Sequence, residues 1–154
     1  MTTPRGGRVE ALLDGQPSAA GLAALTDDQL RGAGTSGAKT RAVRSLAEHV
    51  LDGSCPAAAE LQDLKDQEIR DRLTVIRGVG SWTVDMLLIF RLGRPDVMPS
   101  NDLGIRKGYA RMCGLEEMPS PKELEALTES WRPWRTVGSW YLWRALEIDL
   151  PDGG

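Results

Sequence analysis

The sequence has too few thiol and imidazole groups for a zinc site or a disulfide framework. Its 154 residues include two cysteines and one histidine, which are Cys55, Cys113 and His49. A four-ligand zinc site of the usual kind needs more such side chains, and a single cysteine pair makes no scaffold. We expect all three residues to be structural, in a chain that resides in a reducing compartment.

Long apolar runs are also missing. No stretch approaches the roughly 20 apolar residues that a membrane-spanning helix needs, and Met1 to Gly15 lacks the apolar core of a secretory signal. We therefore expect a cytoplasmic protein with no membrane partner. Apolar residues make up 41% and charged residues 27% of the chain, which is typical of a globular domain. The length is enough for one buried core.

The alternation of apolar and polar residues that marks a half-buried strand is almost absent. Helix-start signals such as Thr26, Ser36 and Ser120 precede apolar residues at helical spacing instead. Residues 81–92 are apolar nearly all round, which predicts a helix buried at the centre of a domain. The fold class predicted is all-α, a compact multi-helix domain.

Signals for local structure divide the chain unevenly. Residues 1–19 carry few of them and are predicted to form a poorly defined N-terminal segment, followed by one domain over residues 20–150. The net charge is −3, so the whole chain is not expected to attract nucleic acid. Residues 31–50 and 70–111 are nevertheless net positive. If they meet in the fold they form a modest phosphate-facing surface, although charge alone favours solvated helix faces.

Two glycines lie between two predicted helices, in the sequence Arg77-Gly78-Val79-Gly80. Glycine permits a tight turn and a close approach of ligand to backbone. The amides of Val79, Gly80 and Ser81 are expected to point outward at the start of the next helix, where amides bind phosphate. A purely structural corner is at least as consistent with this pattern. No strand precedes it and no Gly-Lys-Ser/Thr ending follows, which excludes dinucleotide and P-loop motifs.

Three longer blocks surround and follow this turn. They read LTVIRGVGSWTVDM over 73–86, GRPDVMPSNDLGIR over 93–106 and WRPWRTVGSWYLWR over 131–144. In this order and spacing they strongly resemble the helix-hairpin-helix DNA glycosylases, most of all the 3-methyladenine DNA glycosylase II branch. Residues 34–41 also resemble a helix start of that branch. The likeness covers roughly residues 20–148, and a chance match of all three blocks is very improbable.

The resemblance implies a helix-hairpin-helix motif in an enzyme that flips a damaged nucleotide out of the duplex and cuts its N-glycosidic bond. It implies that Asp102, at the start of the helix after the hairpin, is the catalytic residue. One carboxylate suffices when the leaving base is a cation, such as an N3- or N7-methylated purine, because it stabilises the oxocarbenium-like sugar. Local sequence alone favours a plain helix N-cap at this position, and one Asp can do both.

The residue after Gly80-Ser81 is a lysine in family members that also nick the strand through a Schiff base. Here it is Trp82, so the resemblance implies a monofunctional enzyme without lyase activity. It also implies a substrate-base pocket of Trp82, Met86 and Trp143, in which an aromatic face stacks on the cationic base. Core packing is the alternative for every tryptophan. We expect it for the remaining three, Trp131, Trp134 and Trp140.

Contacts to double-stranded DNA are implied around the hairpin, at Lys39, Arg77, Gly78, Val79, Gly80, Ser81 and Thr83. Arg41 and Arg44 are further candidates, although an exposed Arg on a helix is more often only solvated. Such contacts ignore sequence, which suits a search for damaged bases. No cofactor is required by the resemblance. A structural Na⁺ or K⁺ ion is implied on the backbone carbonyls of Thr74, Ile76 and Val79.

One family feature is missing from the sequence. The domain usually begins with a further helical segment that has a Gln-rich motif, and residues 1–19 do not contain it. The chain could lack this segment, Arg8–Leu13 could replace it in reduced form, or two chains could complete each other. An incomplete helical lobe is expected to expose apolar surface.

Two functions therefore stay open at the level of sequence. The first is a monofunctional glycosylase that removes alkylated purines from damaged double-stranded DNA in base excision repair. The second is a catalytically inactive or truncated helix-hairpin-helix module that binds DNA. The protein would be associated with the nucleoid if its source is bacterial, and the sequence indicates no protein partner.

Overall fold

The structure of the protein, a computed structural model, describes residues 5–148, with side chains from residue 7 onward. In this range all regular structure is helical, which confirms the predicted all-α class. The α-helices are α1 Arg5–Ala11, α2 Ala19–Ala24, α3 Asp27–Gly32, α4 Gly37–Leu51, α5 Asp66–Leu73, α6 Ser81–Phe90, α7 Leu103–Cys113, α8 Pro121–Leu127 and α9 Arg135–Arg144. Short 3-10 turns lie at Glu60–Gln62 and Glu129–Trp131. Within the described range, no helix has the length and apolar character to cross a bilayer.

The chain divides into two compact units, residues 1–80 and 81–154. The first contains α1 to α5 and the second α6 to α9. Helix α1 lies in a segment where sequence signals predicted little structure. The domain boundary predicted at residue 20 stays a prediction.

Capping side chains set the helix starts of the first unit. At α3, Thr26 Oγ1 accepts the amide of Gln29 at 3.2 Å while Gln29 Oε1 accepts the amide of Thr26 at 2.8 Å. Ser36 Oγ accepts the amide of Lys39 at 3.4 Å at the start of α4. Each bond satisfies a backbone donor that has no partner within the helix. The predicted caps Thr26 and Ser36 are thus confirmed.

Arg44 on α4 holds the junction between α2 and α3. Its guanidinium donates to Asp27 Oδ1 at 3.0 and 3.1 Å, to the carbonyl of Ala23 at 2.9 Å and to the carbonyl of Leu25. All of its nitrogens are therefore used inside the protein. These bonds give Arg44 a structural role, and its contact with the DNA backbone stays a prediction.

Close packing of α7 on α9 organises the second unit. Gly108 on α7 is buried, and a Cβ atom there would lie 2.1 Å from the carbonyl oxygen of Leu142 on α9. Only a residue without a side chain permits this approach. The buried cluster around the contact consists of Met98, Ile105, Tyr109, Leu124 and Leu142, with Trp131 packed against it. The core role predicted for Trp131 is confirmed.

Several apolar residues of the second unit are not covered. Helix α6 buries Val84 and Leu88, but Trp82 is 48% and Phe90 52% exposed, so the prediction of burial all round is wrong at both ends. Trp134 is 62% and Trp140 48% exposed, so their predicted core role is also wrong. Trp82, Phe90 and Trp140 lie on helices and Trp134 is the N-cap of α9, but spacing could not show which faces another element covers.

Candidate active site and nucleic-acid interface

Buried hydroxyl groups on α9 hold the loop that leads to Asp102. Thr136 Oγ1 accepts the amide of Val97 at 2.9 Å and donates to the carbonyl of Arg94 at 2.7 Å. Ser139 Oγ donates to the carbonyl of Val97 at 3.1 Å. The loop is therefore fixed through its backbone. The loop ends at Asp102, which the resemblance implied to be the catalytic residue.

An ion-pair cluster fixes the same loop at its exposed side. Arg135 Nε donates to Asp96 Oδ1 at 2.6 Å and Arg132 Nη1 donates to Asp96 Oδ2 at 2.5 Å. The hydrogen bond from Arg135 holds the pKa of Asp96 below its usual range, although partial burial opposes the shift. Asp96 is thus charged and occupied by two guanidinium groups, which makes it an anchor of the loop.

Asp102 is the N-cap of α7. Its Oδ1 accepts the amide of Ile105 at 2.8 Å, which confirms the capping interpretation. The side chain is half-buried. The cap leaves Oδ2 and one lone pair of Oδ1 for other partners.

Two tryptophan side chains donate to the remaining positions of this carboxylate. Trp82 Nε1 donates to Asp102 Oδ2 at 2.7 Å, and Trp143 Nε1 donates to Oδ1 at 3.2 Å. Gly104 makes room for the second contact, because a Cβ there would lie 3.0 Å from Oδ1 and 3.4 Å from Cδ1 of Trp143. Residues far apart in sequence therefore meet at one carboxylate, while their implied roles in catalysis and base binding stay predictions.

Hydrogen bonds and burial act on the pKa of Asp102 in opposite directions. Burial of the carboxyl is the largest single influence and raises its pKa. The bonds from the amide of Ile105 and from the two indoles, with a smaller one from the amide of Gly104, lower it and together outweigh burial. The net pKa lies below the usual aspartate value, so the group is ionised at neutral pH. The ionised form is the one that stabilises a positive charge developing nearby.

An aromatic cluster lies beside Trp143. The rings of Phe90 and Trp143 are stacked with centroids 6.0 Å apart, and Trp140 meets both rings edge-on, at 5.4 Å from Phe90 and 6.0 Å from Trp143. Sequence reasoning assigned no role to Phe90 and placed Trp140 in the core. Met86, the third residue predicted for the pocket, is half-buried one turn beyond Trp82. Its role in a pocket stays a prediction.

The start of α6 is tied to the residue before Asp102. Asn101 Nδ2 donates to Ser81 Oγ at 3.1 Å. Ser81 and Thr83 are both exposed in the first turn of α6, where helix amides lack intrahelical partners. Their predicted contact with a phosphate stays a prediction.

In the first unit, α4 supports the glycine turn from behind. Gly78 has φ +85°, and a Cβ atom there would lie 2.4 Å from Cβ of Ala42. The amide of Arg77 donates to Ser45 Oγ at 3.0 Å. The turn conformation thus needs glycine at position 78 both for its backbone angle and for space.

One amide predicted to face DNA has a partner inside the turn. The amide of Val79 donates to the carbonyl of Ile76 at 3.0 Å. The expectation that it points outward is wrong, because the tight turn uses it to close itself. For Gly78 and Gly80, the described part of the chain offers their amides no hydrogen bond.

Several basic side chains lie near the glycine turn, and they differ in their surroundings. Lys39 and Arg77 are exposed, and Arg41 and Arg77 line a cleft of about 450 Å³ together with Arg44 and Glu48. The cleft is of mixed charge. The basic side chains of the cleft are accessible, and they remain candidates for contact with phosphate.

The carbonyls implied for a monovalent cation belong to the same turn. That of Ile76 keeps one lone pair after accepting the amide of Val79. Among residues 5–148 there is no group of three or more His, Cys, Asp or Glu side chains that could hold a metal. Neutral backbone oxygens suit alkali cations, so the donor type fits the ion.

The sequence model of one protein family matches residues 7–133, and it is described as HhH-GPD superfamily base excision DNA repair protein. The DNA-3-methyladenine glycosylase 1 of Schizosaccharomyces pombe is 40% identical over 119 residues, which are 77% of this chain and 52% of that protein. The chain thus spans about half the length of that relative.

Two solved structures are similar to the fold. The S. pombe 3-methyladenine DNA glycosylase in complex with abasic DNA has a TM-score of 0.84 at 36% identity, over 94% of this chain and 71% of that chain. A DNA-3-methyladenine glycosidase from Bacillus halodurans has a TM-score of 0.80 at 34% identity, over 92% of this chain and 65% of that chain.

Proposed function

Because the chain belongs to the HhH-GPD superfamily of base excision DNA repair proteins, we propose that it is a monofunctional DNA glycosylase. Its substrates would be alkylated purines of the 3-methyladenine and 7-methylguanine type in double-stranded DNA. The enzyme would flip the damaged nucleotide and cleave its N-glycosidic bond. The names of the similar proteins support this substrate class.

The observation that carries the proposal is the ionised carboxylate of Asp102 between two tryptophans. Loss of a purine leaves positive charge on the sugar, and a fixed carboxylate nearby stabilises that charge. A methylated purine already carries a positive charge and departs without being protonated. One carboxylate is therefore sufficient for this reaction. A module that only binds DNA has no need of this arrangement.

Recognition of the flipped base is assigned to Trp82 and Trp143, with Met86 beside them. Aromatic faces attract a cationic ring more strongly than a neutral one. The same position excludes strand cleavage through a Schiff base, since Trp82 has no amine. The proposed product is thus an abasic site in an intact strand.

The contacts with the DNA backbone are assigned to the glycine turn and to the residues around it. The amides of Gly78 and Gly80 and the side chains of Lys39, Arg77, Ser81 and Thr83 are the proposed contacts. A Na⁺ or K⁺ ion on the carbonyls of Thr74, Ile76 and Val79 would make the turn more positive toward phosphate. We keep the prediction of a cytoplasmic protein that needs no other cofactor.

The test is release of free base from duplex DNA that contains 7-methylguanine and 3-methyladenine. We expect release by the 154-residue chain and a loss of about 10³-fold in the Asp102→Asn variant. Asparagine retains the cap, so circular dichroism should show the same helix content. Glu116→Gln is the matched control, because it exchanges an exposed carboxylate for an amide on the same unit and should leave release unchanged.

Binding separates the two functions considered. If the wild-type chain is folded and binds abasic duplex DNA but releases no base, the chain is a DNA-binding module. If release occurs and Asp102→Asn releases base at the wild-type rate, the enzyme stands but the assignment of its catalytic residue is wrong. Strand cleavage without added base or heat would contradict the absence of lyase activity.

A further inference from the structure

Two indole N–H groups reach one half-buried carboxylate in addition to the amides of its helix cap. The amide of Ile105 donates to Asp102 Oδ1 at 2.8 Å, as in any N-cap. The indole donors are the Nε1 atoms of Trp82, at 2.7 Å from Oδ2, and of Trp143, at 3.2 Å from Oδ1. Each oxygen of Asp102 therefore receives one indole donor.

The bonds to Asp102 use the edges of both indoles and not their faces, although Phe90 stacks on one face of Trp143. Indole donates its one N–H in the plane of the ring, whereas stacking uses the faces above and below that plane. Trp82 is 48% exposed and Trp143 is half-buried, so water could satisfy either N–H without Asp102. Contact of both edges with the same carboxylate is thus not required for the stability of either ring.

We propose that Trp82 and Trp143 are positioning residues that act through their Nε1–H edges, which hold the carboxylate of Asp102 charged and in one orientation. This role is separate from the stacking of their faces on a base, and it rests on the proposed glycosylase function. Indole is a donor only and does not titrate, so its bond favours the ionised carboxylate at every working pH.

The pair of hydrogen bonds from Trp82 and Trp143 to Asp102, which we call the clamp, bears on the chemistry of the site. A carboxylate that is held ionised has no proton to give to the leaving base. The base must therefore depart without a proton from Asp102, which favours purines that are positively charged before they bind.

The ring of Trp143 is itself held in place. Phe90 stacks on it with an angle of 24° between the rings, and Trp140 packs against it edge-on at 85°. Gly104 leaves the space through which its edge reaches Asp102. Phe90 and Trp140 are thus supports of the clamp, although sequence reasoning gave neither of them a function.

Two substitutions distinguish the role of the N–H edge of each indole from the role of its flat face. Trp82→Phe and Trp143→Phe keep an aromatic face but remove the N–H donor. Trp134→Phe is the matched control, because Trp134 lies on the same unit, is 62% exposed and is not among the donors to Asp102.

The first measurement follows the carboxyl carbon of Asp102 by NMR during a pH titration of the full chain without DNA, with Asp102→Asn to assign the signal.

The second measurement is single-turnover release of 7-methylguanine between pH 4 and pH 8. We expect the pKa of Asp102 to rise toward its usual value in Trp82→Phe and Trp143→Phe, but not in Trp134→Phe. Because the acid is then protonated at higher pH, the loss of release in each variant should grow as the pH falls. It should be about twofold larger at pH 4 than at pH 8, because the usual pKa of an aspartate lies near 3.9.

The outcomes distinguish the clamp from the function on which it rests. An unchanged Asp102 titration in both variants, with release lowered equally at all pH values, would overturn the proposal and leave the tryptophans as stacking surfaces only. A raised pKa in a chain whose wild-type form releases no base would support the clamp and contradict the glycosylase. A raised pKa with a matching shift of the acid limb supports both.

Discussion

The helices α7 and α8 begin with the same bond but differ in what else reaches the capping residue. Ser120 Oγ accepts the amide of Glu123 at 3.3 Å, and the Glu123 carboxylate accepts the amide of Ser120 at 2.8 Å. Everything needed at the start of α8 thus comes from one turn of chain. Asp102 accepts the amide of Ile105 in the same way, but it also receives two indole donors that are 20 and 41 residues distant.

The difference shows how a local role can conceal a chemical one. A cap that is complete within one turn is explained by the stability of its helix. A cap that also receives donors from two other helices has more partners than helix stability requires. The number and origin of the donors, and not the presence of a carboxylate at a helix start, mark Asp102 as a candidate catalytic residue.

Exchange of the two capping residues is the strongest way to sharpen this comparison. Serine and aspartate are both good N-caps, so we expect Asp102→Ser and Ser120→Asp to keep their helices. Asp102→Ser should lose base release by about 10³-fold because the negative charge is gone. Ser120→Asp should release base at the wild-type rate. The comparison fails if the two variants lose activity equally, as measured on methylated duplex DNA at pH 7.

Disruption of the packing behind α7 should have the next largest effect. In Gly108→Ala the added Cβ would lie 2.1 Å from the carbonyl oxygen of Leu142. We expect α7 and α9 to move apart, with a loss of about 1–3 kcal/mol in the free energy of unfolding in urea. Base release should fall as well, because Trp143 follows Leu142 on α9. The exposed neighbour Lys107→Ala is the control and should stay within about 0.5 kcal/mol. A Gly108→Ala protein as stable as the wild type would contradict the close contact.

Acid pH should have the smallest effect and act on both helix starts in the same direction. The pKa of Asp102 is lowered by its hydrogen bonds in spite of burial, and that of Glu123 is lowered mainly by Ser120. A lowered folded-state pKa stabilises the fold above about pH 4, and this contribution is lost as the pH falls through the folded value. Between pH 6 and pH 3, Asp102→Asn should therefore lose less stability in urea than the wild type. Glu123→Gln should show a smaller difference, since Glu123 is exposed and screened by solvent. Parallel pH curves for all three proteins would show that neither carboxylate has this effect.

Helices with start signals inside their own sequence could be predicted. Thr26, Ser36 and Ser120 cap the helices that they were predicted to cap. Asp66 also has the residue type of a cap, yet Lys65 is at the cap position of α5 and Asp66 is its first helical residue. Capping depends on three or four neighbouring residues, so sequence carries most of the information.

Faces and contacts between helices could not be predicted from spacing. Trp134 and Trp140 have the same helical period as a buried residue, but burial depends on what packs against them. The resemblance brought Asp102, Trp82 and Trp143 together, while the direction of their polar edges needed coordinates. The contact of Gly108 with Leu142 likewise joins positions whose local sequences contain no sign of each other.

The contact of Gly78 with Ala42 makes two positions 36 residues apart interdependent in any redesign of the chain. A side chain larger than methyl at position 42 would press on the backbone of the glycine turn from within. A change at a residue that contacts no ligand would then alter the shape of the surface proposed to meet phosphate. Position 42 is therefore a point from which the grip on DNA can be adjusted while every residue of the turn remains as it is.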